Sequence, residues 1–256
     1  MTNGFAATED WEKFSKQLGY AHSMYAQLKQ HIEKPHNLVH DTAGASFVLY
    51  PISLYISILG KAGKYQKAFD VFHELDTDGP LVPHPKVYSS LLCVLANRVD
   101  SPDTEPEVIA RSVSDAKYVW RRHMRSLERG LQDHIEPRSV DAIIKVLSRG
   151  EPHDHELMFD ILHDVCGLPR PGEDRPPPPS PSPWAPPKAA LTTWILSEAL
   201  DGCITPGHPD KAVHYALVVS GGCDKDVCGT CRLGASLPYL FLLLILISSV
   251  GWGMGG

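Results

Sequence analysis

The chain has no excess of basic charge, no cysteine framework and, over most of its length, no long apolar run. A net charge of −6 argues against a generally basic nucleic-acid binder and leaves only a local patch for that purpose. Six cysteines in 256 residues are too few for a disulfide scaffold. Cys93, Cys166 and Cys203 stand alone in helical patterns, where small buried thiols in a reducing compartment are the simplest reading. The opening "MTNGFAATEDWEKF" lacks both an apolar signal core and an arginine-rich amphipathic start, so neither a secretory signal nor an evident organellar presequence is read there. Frames for catalysis are missing too. No nucleophile elbow, phosphate loop or zincin motif surrounds the Ser, His and Asp residues, and the chain is expected not to be an enzyme and to need no cofactor.

What is present is helical periodicity. Ile52, Tyr55, Ile56 and Leu59 fall on one face of a first helix, and Tyr65, Ala68, Phe69, Phe72 and Leu75 on one face of a second. Ala62-Gly63 between them predicts a tight turn and an antiparallel αα-hairpin, with Ala68 against the partner helix. Such a hairpin cannot bury both faces alone and needs neighbours. "KAFDVFHEL" (67–75) returns as "LMFDILHDV" (157–165), and "SLYISILGKAG" has a counterpart in "SVDAIIKVLSRG" that ends in the same Gly. A middle unit starts with "VYSSLLCVLANR", whose Tyr88 and Leu95 lie 36 residues after Ile52 and Leu59. Its second helix, "SDAKYVWRRHMRSL", follows an acidic, proline-bearing insertion. A fourth pair is "ALTTWILSEAL" with "PDKAVHYALVV", where Lys211-Ala212 repeats Lys67-Ala68. A long amphipathic helix capped by Thr8 precedes the array. The pattern predicts an all-α, right-handed α-solenoid of αα-hairpins.

Five stretches follow: an N-terminal helix and lead-in (1–46), the helical repeats (47–167), a Pro-rich linker (168–188), a further hairpin (189–221), and a Cys-bearing loop with an apolar tail (222–256). "LPRPGEDRPPPPSPSPWAPP" cannot be helix and reads as an extended linker. Cys223, Cys228 and Cys231 match a ferredoxin-type spacing. No fourth cysteine follows and an apolar run does, so a reduced thiol-bearing loop without metal is expected. In "EPHDHE" (151–156), His153 and His155 share no helix face, and a helix cap is the simpler reading than a metal site. The apolar run Leu237–Val250 is shorter than the roughly 20 residues that span a bilayer. Three readings of the tail stand: a membrane anchor involving residues 233–252, a buried end helix, or sequence foreign to the fold.

A period in the mid-thirties fits tetratricopeptide and pentatricopeptide repeats. The first signature is missing, whereas residues 50–92 resemble a pentatricopeptide repeat. Leu59, Lys61, Ala62 and Gly63 close its first helix, Ala68, Phe72, Glu74 and Leu75 form the core of its second, and Gly79, Pro83 and Tyr88 lead to the next unit. Residues 135–166 resemble it less closely. The resemblance implies a mitochondrial protein that binds single-stranded RNA, in transcript metabolism or translation. It also implies that Ser53 and Ser89 at the fifth repeat position, and His84 at the last, face bases. His84 departs from the usual Asp or Asn. Lys117, Arg121, Arg122, Arg125 and Arg129 form a basic stripe that either meets phosphate or is a solvated outer face. The alternative is a protein-binding scaffold, for example a mitoribosome-associated subunit with ribosomal or other protein partners.

Overall fold

The computed structural model describes residues 11–32, 42–75, 77, 81–100, 103–171, 189–204 and 207–221. Thr8, Gly79, the linker from 172 to 188, the Cys223–Cys228–Cys231 triplet and the apolar tail lie outside the described residues. Among the described residues the chain is all-helical, with nine α-helices and no strand. They are α1 (Trp11–Ile32), α2 (Thr42–Lys61), α3 (Tyr65–His73), α4 (Pro85–Arg98), α5 (Pro106–Glu128), α6 (Pro137–Leu147), α7 (Pro152–Cys166), α8 (Thr193–Ile204) and α9 (Pro209–Gly221). No helix of the described residues is long and apolar enough to cross a membrane. The chain divides into two compact units, residues 1–98 with 117–133 and residues 99–116 with 134–256, so that α5 contributes to both.

In the first unit α2 packs against α1, α3 and α4. The α2–α3 turn is closed by Gly63 at φ 67°, with the Lys64 N–H donating to the Leu59 carbonyl at 2.9 Å. Ile52, Ile56, Leu59, Ala68 and Phe72 are buried, as the periodicity predicted. Tyr88 of α4 meets Phe72 edge-on at 5.6 Å and stacks on His123 of α5 at 4.4 Å, its hydroxyl paired with that of Ser126. Tyr50, midway along α2, meets Lys86 near the start of α4, and Gly60 farther along α2 meets Val94 farther along α4, so the two run parallel. A Cβ on Gly60 would overlap the Val94 methyls, and glycine therefore sets how closely these helices approach. Helix α1 lies over the α2–α3 pair. Its Tyr25 stacks on Tyr55 at 4.3 Å and donates to Glu74, while His22 bonds the Tyr55 hydroxyl at 2.5 Å.

In the second unit α6 packs against α7 and α8, and α8 against α9. The repeated segment buries matching positions: Phe69, Val71, Phe72 and Leu75 in α3 and its exit, and Phe159, Ile161, Leu162 and Val165 in α7. Ala68 and Ala212, paired in the sequence, are both fully buried. The α6–α7 connection differs from its counterpart. Gly150 takes no left-handed φ. Instead Pro152 opens α7 and the Glu151 N–H donates to Asp154 Oδ2 at 2.9 Å, so "EPHDHE" forms a helix start.

Two boundaries extend past the periodic pattern. Helix α2 begins at Thr42 and carries Pro51 inside it, where proline removes one backbone hydrogen bond. Helix α5 begins at Pro106 within the acidic insertion, since proline suits the first helical position and Glu107 the first turn.

Candidate functional site

The sequence-derived base contacts sit on or beside α2 and α4. Ser53 and Ser89 are 3% and 4% exposed, and the Ser53 hydroxyl donates to the Tyr50 carbonyl at 2.7 Å within its own helix. Neither hydroxyl is presented to solvent. His84 lies just before α4, and its Nδ1 accepts the Lys86 N–H at 3.3 Å, which caps the helix and leaves the proton of the neutral ring on Nε2. The exposed residues of this face are their neighbours. Tyr50 and Leu54, one turn apart on α2, are 51% and 50% exposed, and Lys86 on α4 places its ammonium 5.1 Å from the Tyr50 ring centroid. Ser90 follows Lys86 by one turn and is partly exposed. An aromatic face with an aliphatic platform, a cation and a hydroxyl is a surface on which an unpaired base can stack.

The five basic residues of the stripe, four on α5 and Arg129 just past its end, separate by role. Arg122 stacks over Phe72 at 4.5 Å and donates to the Leu75 carbonyl at 2.9 Å, which ties α5 to the end of α3. Arg121 donates through Nε to the Lys117 carbonyl at 3.1 Å, one turn back. Arg121, Arg125 and Arg129 are exposed, whereas Lys117 and Arg122 are partly covered. The stripe thus borders α3, while Ser53 lies on α2 and Ser89 on α4.

A further surface lies in the second unit. Its elements are set by their caps: Thr192 Oγ1 accepts the Ile195 N–H at 3.2 Å to start α8, and Pro137 opens α6. Asp141 and Lys145 of α6 and Glu198 and Asp201 of α8 gather with Asp100, whose carboxylate lies 2.6 Å from the Lys145 ammonium. Burial raises Asp141 and Asp201 above the ordinary carboxylate range, against the pull of Lys145. Burial, opposed by Lys145 and aided by repulsion from Asp141, Asp201 and Asp100, pushes Glu198 up to about 7. Periodicity hid this cluster because its members are ordinary surface charges until α6 and α8 lie side by side. Trp194, at the start of α8, is 75% exposed.

The thiols and histidines have plainer settings. Cys166 and Cys203 are free and buried, and burial pushes both thiols up to about 12, which leaves them unreactive. His155 is buried 6.3 Å from the His208 ring, and burial lowers its pKa, with the neighbouring His208 adding to the effect. Among the described residues no three His, Cys, Asp or Glu side chains converge as metal ligands.

Comparison with known proteins returns no matching family model, no matching curated protein and no matching solved structure.

Proposed function

We propose that the chain is a non-catalytic, pentatricopeptide-like helical-repeat protein that binds single-stranded RNA in mitochondrial RNA metabolism or translation. In this reading the helix pairs are layers of a right-handed α-solenoid. The observation that carries it is the parallel packing of two first helices, α2 and α4, with Tyr50, Leu54, Lys86 and Ser90 on their exposed face. Bases stack on Tyr50 and Leu54, Lys86 and the exposed Arg121 and Arg125 meet phosphate, Ser53 and Ser89 are buried beside this face, and His84 caps α4. Filter binding of full-length protein to oligouridine at two salt concentrations tests it. Affinity falls steeply with salt and drops about tenfold in Tyr50→Ala, as expected for one lost stacking contact. Absent or salt-indifferent binding overturns the reading.

One observation favours a second reading. The hydroxyl of Ser53 and the ring of His84 are engaged within the protein, as suits a protein-binding scaffold better than a reader of base edges. Recovery of a protein partner together with absent RNA binding selects that alternative.

A further inference from the structure

The side of the second unit formed by α6 and α8 holds two openings. One, of about 560 Å³, lies between the helix starts and is lined by Glu136, Arg138, Asp141 and Trp194. The other, of about 250 Å³, lies between the helix ends and is lined by Asp100, Lys145, Arg149, Glu198 and Asp201. Starts meet starts and ends meet ends, so α6 and α8 run parallel with a shallow trough between them.

We propose that this trough docks an extended segment of a partner protein bearing Arg or Lys at alternate positions, one cation on the Trp194 indole beside Asp141 and the next between Glu198 and Asp201.

Three independent features argue for a cationic peptide. The indole offers the best aromatic face for a cation, and this one is exposed at the mouth of the larger opening. Asp141 lines the same opening, and its Oδ1 has no hydrogen-bond partner within the protein. The charge is also unbalanced: five carboxylates, of Glu136, Asp141, Asp100, Glu198 and Asp201, line the two openings against Arg138, Lys145 and Arg149, and Lys145 is already bound to Asp100. Burial is the main cause of the raised Glu198 pKa and repulsion from Asp141, Asp201 and Asp100 adds to it, so a further cation beside it would lower it. Nucleic acid is disfavoured, because its phosphates would add to the same repulsion.

The spacing fits as well. Trp194 and Glu198 are one helical turn apart, roughly 6 Å along the axis. Side chains at i and i+2 of an extended peptide are separated by roughly 6.6 Å and point to the same side. An Arg-x-Arg segment therefore presents its cations at the interval of the trough, whereas adjacent arginines point to opposite sides.

This proposal stands apart from the RNA reading, and the two are measured separately. Fluorescence anisotropy of labelled Gly-Ala-Arg-Ala-Arg-Ala-Gly with the full chain is compared with Gly-Ala-Ala-Arg-Arg-Ala-Gly and with a Glu-for-Arg control. The spaced peptide binds, the contiguous one binds more weakly and the acidic one does not bind. Trp194→Ala, which alters an exposed side chain, and the double variant Glu198→Gln/Asp201→Asn each weaken binding about tenfold, with melting curves of Trp194→Ala unchanged. Absence of binding, binding by both variants as tight as by the parent, or loss of oligouridine binding in Trp194→Ala in place of peptide binding overturns it.

Discussion

Replacing Gly60 by alanine probes the closest approach of α2 and α4. A Cβ at this position would lie 2.8 Å from Val94 Cγ1 and closer still to Cγ2, and Val94 is itself buried. Alanine gains about 0.5–1 kcal/mol over glycine in a helix. Forcing an extra carbon into a packed contact costs about 1–3 kcal/mol. Gly19 supplies the internal reference, since it lies in the exposed middle of α1 with nothing within 4 Å of its added Cβ. Gly19→Ala is therefore expected to stabilise, and Gly60→Ala to lie about 1–3 kcal/mol below it, the difference isolating the steric cost. Urea denaturation followed by far-UV circular dichroism measures both. Adding Val94→Ala to Gly60→Ala should recover part of the loss, with a coupling energy of about 0.5–3 kcal/mol. If Gly60→Ala stabilises as much as Gly19→Ala, α2 and α4 are not in contact at this point.

Glu198→Gln gives a pH-dependent result whose sign follows from the raised carboxyl. A folded pKa of about 7 means that the folded protein holds a proton which the unfolded chain releases at lower pH. The ionised form therefore destabilises progressively above the ordinary glutamate value and fully above pH ~7, so the glutamine variant should be the more stable by about 1–2 kcal/mol at pH ~8, after allowance for solvent screening of a partly exposed group. The two proteins should converge near pH ~4.5, and melting curves that stay parallel across this range would refute the assignment. Arg122→Ala should cost about 1–2 kcal/mol through the lost Phe72 stacking and Leu75 hydrogen bond. Arg125→Ala should leave stability within about 0.5 kcal/mol while lowering the salt slope of RNA binding by about one. The reverse pattern would exchange their roles.

The helical class and the buried faces were legible because a period of 3.6 reports them directly, and the copies in α3 and α7 bury the same positions. Exposure at single-residue resolution was not. Adjacent residues on a helix point about 100° apart, and only the neighbouring helix decides which of Ser53 and Leu54 faces water. The stripe on α5 was visible as charge, but the capture of Arg122 by Phe72 and Leu75 depends on residues 47–50 positions away. Asp141, Glu198 and Asp201 escaped for the same reason. Glu198 and Asp201 neighbour each other on α8 alone, but repulsion from Asp141 exists only once α6 and α8 are neighbours. Gly150 had the place of a turn glycine, yet the Pro152 and Asp154 start of α7 makes a left-handed turn unnecessary.

The exposed face of α2 and α4 is tested most directly by photocrosslinking the full chain to a single-stranded oligonucleotide containing 4-thiouridine, with adducts mapped by mass spectrometry. Adducts on Tyr50 or Lys86, competed away by unlabelled RNA and reduced by high salt, are the expected result. Adducts confined to other regions, or none at a protein concentration that saturates filter binding, would contradict the assignment of that face to RNA.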